Sequence, residues 1–312
     1  MDIMKKAAFV VLAGRPSVGK STLVNLLCGA KIAIVSSAPQ TTRNSIRGIL
    51  TKPEGQLVFV DTPGRHLSKR KFNMALEGVS DRALLDAELV LYVLDAARAP
   101  GEEEEAVALR LQSFQDRMII AINKTDSQGS DPDSLIAFLS DMLPDIKSEN
   151  IFLISCLKKE GTYALLSRLF DMAAPGIPFY PEEYYTDQEL SFRVAEIIRE
   201  KAMNRLREEL PHSIYVEIAD MELREDGRAK CDQNDEAGSV KKRLWVRAFI
   251  ITERESQKGM IVGKGGEKIK AIGLAARKEL NSILDWKVDL DLRVKTGKDW
   301  RHNDKLLKKL TS

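Results

Sequence analysis

The eight residues GRPSVGKS (14–21) fit the pattern GxxxxGK[ST] without a gap, directly after the apolar run AAFVVLA (7–13) and at the start of the helical pattern STLVNLL (21–27). The pattern works only as the turn between a buried strand and a crossover helix. There its glycines let backbone N–H groups converge on an anion at a helix N-terminus. The implied ligand is a nucleotide phosphate chain, enclosed by Gly14, Arg15, Pro16, Ser17, Val18, Gly19 and Thr22. Lys20 is expected to reach the β and γ phosphates, and the Ser21 hydroxyl to ligate magnesium.

The surrounding pattern supplies that setting. QLVFV (56–60), LVLYVL (89–94), MIIAI (118–122) and IFLI (151–154) are nearly continuous apolar runs, as strands buried on both faces should be. Helical segments separate most of them, which predicts an α/β domain with a mostly parallel sheet over residues 1–175. PGIPFYPEEYYTD (175–187) holds three prolines and no helical period, and reads as part of a linker over residues 176–188.

Residues 189–312 read as a second, α+β domain. A helix over 189–209 is followed by strands at HSIYVEIADMEL (212–223) and RLWVRAFIITE (243–253), with a polar loop over 224–242 between them. A helix over 265–283 carries Ile269, Ile272, Ala276, Leu280 and Ile283 on one stripe, and WKVDLDLRVK (286–295) alternates as a strand with one wet face. The tail reads as a basic helix.

With 312 residues, 44% of them apolar, the chain can bury the cores of two domains. Its apolar runs fall well short of the ~20 residues a membrane helix needs. MDIMKKAAFVVLAG (1–14) imitates a signal peptide, but it runs into the phosphate loop without a cleavage site and is expected to be the first strand. Three widely spaced cysteines, Cys28, Cys156 and Cys231, without a CxxC pair, fit a reducing cytosol, so a cytoplasmic location is expected. The net charge of +2 divides unevenly. Residues 1–189 carry 21 Lys+Arg and 25 Asp+Glu (−4), whereas residues 190–312 carry 27 and 21 (+6). A polyanion bound by the second half is one reading of that asymmetry, and a solvated charged surface is the other.

The base follows from NKTD (123–126), at the end of the MIIAI strand. Asp126 can accept from the N1–H and exocyclic amine that guanine presents and adenine does not. Asn123 and Lys124 complete the motif, and Ser155 and Cys156 of SCLKKEG (155–161) are placed to add a donor near guanine O6. DTPG (61–64) closes the QLVFV strand, so Asp61 can hold magnesium through water and the Gly64 amide can meet the γ phosphate, with Thr62 and Pro63 between them. In APQTTRNSIRG (38–48), Thr42 rather than Thr41 is expected to complete the magnesium shell when the γ phosphate is present. The expected metal ligands are therefore Ser21, Thr42 and Asp61, the catalytic groups Lys20, Thr42 and Gly64, and the cofactors GTP/GDP and Mg2+. Two segments ordered by GTP and loosened by GDP make a switch.

Gly263-Lys264-Gly265-Gly266 is a second glycine-rich turn, and it does not fit GxxxxGK[ST]. It fits GxxG ahead of an amphipathic helix and resembles the loop of KH domains, where glycines admit the backbone of about four single-stranded nucleotides. Lys264, Lys268 and Lys270 supply positive charge beside it, or else form a solvated helix face. Ile261, Val262 and Ile269 are candidates for base contacts and equally for core. The order helix, strand, strand, GxxG, helix, strand is that of the prokaryotic, type II KH fold.

GRPSVGKST, TTR, DTPG and NKTD together resemble the translation-factor class of bacterial GTPases. With YPEEYYTD (180–187), AEIIREK (195–201) and ELPHSIYVEI (209–218), nearly the whole chain resembles the Era family. The resemblance implies a P-loop GTPase domain followed by a type II KH domain. It also implies RNA binding at the 3′ end of 16S ribosomal RNA and a part in maturing the small (30S) subunit. A monomer is the default expectation. Two positions depart from the family. Ser17 replaces an asparagine that in related GTPases can hold potassium, and Arg65 replaces a hydrophobic residue after DTPG. No glutamine is available there to orient water. Arg65 is either an internal arginine finger or a solvated loop residue, and His66 is expected on the surface. Hydrolysis is expected to be slow and partner-stimulated. The rival reading is a membrane-associated regulatory GTPase coupling growth or cell cycle, attached peripherally to the inner membrane through DWRHNDKLLKKL (299–310).

Overall fold

The computed structural model describes residues 5–36, 41–64, 71–206, 213–225, 242–297 and 300. The chain divides into two compact units, one through Asp187 and one from Gln188 to Trp300. Arg65, His66, the polar loop over 226–241 and the basic tail over 301–312 lie outside the described residues.

The first unit runs β1 (Lys6–Ala13), α1 (Lys20–Cys28), β2 (Ile46–Lys52), β3 (Gly55–Asp61), α2 (Lys71–Leu85), β4 (Leu89–Asp95), α3 (Glu102–Leu111), β5 (Met118–Asn123), α4 (Pro132–Met142), β6 (Ile151–Leu153) and α5 (Thr162–Met172). The sheet order is β2-β3-β1-β4-β5-β6, with β2 antiparallel to β3 and every other pairing parallel. The five apolar runs are β1, β3, β4, β5 and β6. In β3, β4 and β5 every residue is buried, as covering helices on both faces require.

β2 is the strand the apolar pattern missed. IRGILTK carries charge at both ends and borders the TTR segment, so it reads as part of a polar loop. Its pairing depends on a tight turn into β3, where Gly55 has φ 149° and a Cβ would fall 1.9 Å from the Lys6 carbonyl oxygen. Registers align the strand tips: Leu12 faces Asp61, Ala13 faces Tyr92, and Asp95 faces Asn123. The loops that follow β1, β3, β4 and β5 therefore gather along one edge, the usual binding edge of an open parallel sheet.

The proline-rich segment is fastened to this unit. Gly176 N donates to Lys5 O at 2.9 Å, Ile49 N donates to Tyr185 O at 2.9 Å, and the Phe179 ring packs on Phe9 with centroids 4.5 Å apart.

The second unit holds α6 (Leu190–Met203), β7 (Tyr215–Glu225), β8 (Lys242–Thr252), α7 (Glu255–Val262), α8 (Glu267–Ile283) and β9 (Lys287–Thr296). β8 pairs antiparallel with β7 and parallel with β9. Val194, Ile197 and Ile198 of α6 and Ile272, Ala276 and Leu280 of α8 are buried with Leu244, Val246, Ala248 and Ile250 of β8. Lys201 pairs with Glu200 on its own helix and with Glu279 of α8.

α7 is an addition to the expected order. Met260, Ile261 and Val262 end a helix, whereas the sequence pattern led straight from strand to glycine loop. The Gln257 side chain caps this helix, accepting from Glu253 N at 3.1 Å and Arg254 N at 2.9 Å. α6 ends at Met203, short of the expected residue 209, and residues 207–212 lie outside those described.

Candidate functional site

The phosphate loop is held by close backbone approaches. Gly14 has φ 141°, and a Cβ there would fall 2.3 Å from Val93 O. Gly19 has φ 106°, and its Cβ would fall 2.3 Å from Asn123 Nδ2. Ser17 is also left-handed, at φ 65°, a region that L residues other than asparagine and aspartate seldom enter. The serine that departs from the family thus occupies a backbone conformation favouring the usual asparagine. Together with the start of α1 this loop lines a cleft of about 420 Å³, which also takes in Thr41, Thr42, Gly64, Arg98 and Lys124.

Lys20 is buried, and its Nζ donates to Gly14 O and Arg15 O, both at 2.9 Å. Burial lowers the ammonium to about 8, against the raising pull of Asp61 and Glu104. Two of its three protons are engaged by these carbonyls, which leaves the third for a phosphate oxygen. Arg15 contributes main chain to the loop. Its side chain turns into the protein, with Nε 2.5 Å from Glu104 Oε2.

Ser21, Thr42 and Asp61 meet. Ser21 Oγ donates to Asp61 Oδ2 at 2.6 Å, Thr42 Oγ1 donates to the same oxygen at 3.1 Å, and the two hydroxyls are 3.0 Å apart. Burial raises Asp61 above the usual carboxylate range, while Lys20 and the two hydroxyls pull it down. Its other oxygen, Oδ1, is buried without a hydrogen-bond partner. Three hard oxygen donors and an orphaned carboxylate oxygen beside a phosphate loop fit Mg2+ completed by phosphate and water. No cluster of three or more His, Cys, Asp or Glu residues suited to a metal occurs among the described residues.

DTPG is locked against the phosphate loop. A Cβ on Gly64 would fall 2.7 Å from Pro16 Cα and 3.0 Å from Lys20 Nζ, so only glycine permits this approach. Thr62 Oγ1 donates to Leu12 O at 2.8 Å, and Ser80 Oγ of α2 donates to Pro63 O at 2.8 Å.

The guanine side is equally connected. Asp126 Oδ1 accepts from Ser155 Oγ at 2.6 Å, which orients its carboxylate, while Thr125 Oγ1 donates to Ile154 O at 3.0 Å. Asn123 donates to Val18 O and accepts from Cys156 N. Lys124 Nζ donates to Ser17 O at 2.8 Å and Asp95 Oδ2 at 2.6 Å. Asp95, Ser80 and Glu104 were missed by sequence reasoning. For Asp95 the signal was available: it ends a buried strand, as Asp61 and Asn123 do.

The second glycine loop is open. Gly263, Gly265 and Gly266 have φ of 75°, 60° and 79°, and a Cβ on Gly265 or Gly266 would meet nothing within 4 Å. Lys264, Lys268 and Lys270 are exposed around the N-terminus of α8. Of the three apolar candidates Ile261 is core, with no exposed surface, whereas Val262 and Ile269 are half-buried.

Compared with known proteins, residues 9–124 match the family described as 50S ribosome-binding GTPase, and residues 209–301 match the KH domain. The GTPase Era of Treponema denticola is 44% identical, covering 97% of this chain and 98% of the relative. The chain belongs to the Era family of GTPases. The GTPase Era of Borreliella burgdorferi is 43% identical, covering 98% of this chain and 99% of its own. An Era variant from Aquifex aeolicus bound to GDP and AlF4−, 32% identical, superposes with a TM-score of 0.86 over 97% of this chain and 98% of that one. An Era bound to MgGDPNP and nucleotides 1506–1542 of 16S ribosomal RNA, 33% identical, gives the same score and the same coverage. The fold is thus the P-loop GTPase and KH combination of the Era family. No helix among the described residues is long and apolar enough to cross a membrane.

Proposed function

We propose that this Era-family GTPase uses GTP to time its hold on the single-stranded 3′ end of 16S ribosomal RNA, assisting maturation of the 30S subunit. The observation that carries the reading is the open Gly265-Gly266 turn, ringed by Lys264, Lys268 and Lys270 on one chain with a GTP site. An open glycine turn beside a helix N-terminus accepts a nucleic-acid backbone, and the lysines neutralise its phosphates. The relative solved with a 16S fragment supports the choice of RNA.

At the nucleotide site, Lys20 and the Gly64 amide hold the β and γ phosphates, and Asp126, oriented by Ser155, accepts from guanine. Ser21, Thr42 and Asp61 hold magnesium, which neutralises charge developing on the phosphates. Thr42 links the γ phosphate to the segment leading into β2, so hydrolysis releases that segment. The rival membrane reading rests on residues 299–310, of which Trp300 alone is described, and its ring is buried with Nε1 donating to Ser213 O at 3.2 Å.

The test is fluorescence anisotropy of a labelled 3′-terminal 16S oligonucleotide, with protein in GDP and in a non-hydrolysable GTP analogue. Tighter binding with the analogue, abolished by Gly265→Asp, is the expected result. Equal binding in both states refutes nucleotide control. Absence of binding refutes the RNA assignment and shifts weight to vesicle sedimentation.

A further inference from the structure

Four consecutive glutamates, Glu102–Glu105, open α3, and such a run ordinarily forms a solvated face that favours the helix dipole. Glu104 departs from this, with 0% of its surface exposed. Its Oε2 lies 2.5 Å from Arg15 Nε, and its Oε1 accepts from the Tyr92 hydroxyl at 2.5 Å. Tyr92 is also fully buried, in β4 beside Ala13, the last residue before the phosphate loop. Arg15 is 8% exposed, and its Nε and Nη2 and the facing Glu104 Oε2 are buried without a hydrogen bond, so charge attraction alone joins the two side chains.

We infer that Glu104, held by Tyr92, is a positioning residue for nucleotide binding: it fixes Arg15, and with it the two carbonyls that aim Lys20 at the phosphates. Those carbonyls, Gly14 O and Arg15 O, are the groups 2.9 Å from Lys20 Nζ. Gly14 is wedged against Val93 O, so the loop is fixed to β4 by main chain at one residue and to α3 by a charged pair at the next. A buried guanidinium deprived of its carboxylate is a strongly unfavourable state. The Arg15 side chain then leaves its place, and its carbonyl moves with it.

The Lys20 contact exists before and during phosphoryl transfer, so loosening it weakens nucleotide binding more than turnover. The experiment uses the full chain with Glu104→Gln, Arg15→Gln and the double variant. It measures KM and kcat for GTP, the dissociation rate of a fluorescent GDP, and thermal melting. Each single variant should raise KM and the dissociation rate about tenfold while kcat stays within about twofold. The double variant should be no worse than the singles, because the two act as one unit. A Glu104→Gln protein that melts lower but keeps the original KM and dissociation rate overturns the inference, leaving the pair a stability device only. If Glu104→Gln does not fold, Arg15→Gln decides. It keeps the loop main chain and removes the charge, so an unchanged KM overturns the inference and a tenfold rise with near-constant kcat upholds it.

Discussion

Asn123 donates its Nδ2 to the Val18 carbonyl at 2.9 Å, tying the tip of β5 to the middle of the phosphate loop. Its Oδ1 accepts from Cys156 N at 3.1 Å, so one buried amide joins its own loop to two others, 105 residues before it and 33 after it in the chain. The approach is close enough to demand glycine at position 19, where a Cβ would overlap the same nitrogen. The guanine and phosphate ends of the cleft are thus tied together by one buried side chain.

Replacing Asn123 with alanine leaves a buried carbonyl and a buried N–H unpaired, at about 1–3 kcal/mol each. Melting should fall by roughly 4–24 °C, using about 2–4 °C per kcal/mol for a unit of this size, and GDP affinity should fall at least about tenfold. Asn123→Asp should do no better, because a carboxylate oxygen would face the Val18 oxygen. Calorimetry and nucleotide titration check both variants, and an Asn123→Asp protein with unaltered affinity would contradict the bridging role.

Thr42 shares the Asp61 oxygen with Ser21, and under the proposed switch its place in the magnesium shell depends on the γ phosphate. Thr42→Ala should therefore weaken a non-hydrolysable GTP analogue about tenfold in Mg2+ and change GDP affinity by less than about twofold. Chelating the metal should erase the difference between variant and parent. Isothermal titration with both nucleotides checks this, and equal losses for the two would sink the switch assignment.

How much of this was legible follows from how each residue is used. The glycine loop, DTPG and NKTD announce themselves because they combine rare residue types at the ends of apolar strands, and the strands announce themselves by being buried on both faces. β2 and α7 were not legible. A short edge strand with charged ends has no continuous apolar run, and ESQKGMIV carries a mid-helix glycine and ends in residues that suit a strand equally well. Glu104 was hidden by its neighbours, since nothing local tells one glutamate of four that it will meet an arginine 89 positions earlier.

Burial pushes the thiols of Cys28 and Cys156 up to about 12, with Asp126 adding to the rise at Cys156. At pH 8 only roughly one such thiol in 10,000 is ionised, so iodoacetamide should leave both unmodified in the native protein and label both after unfolding. The sign for stability follows. The folded state keeps protons that the unfolded chain releases near pH 8.5, so this contribution is complete below that pH and is lost as pH rises toward 12. Mass mapping of alkylated peptides checks the protection, and rapid native labelling of Cys156 would contradict its packing beneath Asn123.

Gln56 has no exposed surface, yet its side chain makes four hydrogen bonds, three to one point of the proline-rich strap and one to Thr51 of β2. Its Oε1 accepts from Phe179 N at 2.8 Å and Tyr180 N at 2.9 Å, and its Nε2 donates to Tyr180 O and Thr51 Oγ1, both at 2.9 Å. Farther along, Thr186 Oγ1 donates to Arg47 O at 2.8 Å, and Asp187 accepts from Arg47 at 2.7 Å and from the Tyr180 hydroxyl at 2.9 Å. Exposed ion pairs such as Arg47–Asp187 contribute little alone, at about 0–1 kcal/mol, so the buried amide dominates the fastening. Gln56→Ala should free the strap locally while β3 stays intact. Chymotrypsin cleavage at Phe179, Tyr184 and Tyr185 should accelerate about tenfold or more, since cleavage tracks the open population; the bond after Tyr180 is protected by Pro181. Arg47→Ala should raise it by less than about threefold. Time courses read by mass spectrometry separate the two, and equal acceleration by both variants would assign the fastening to the surface pair instead.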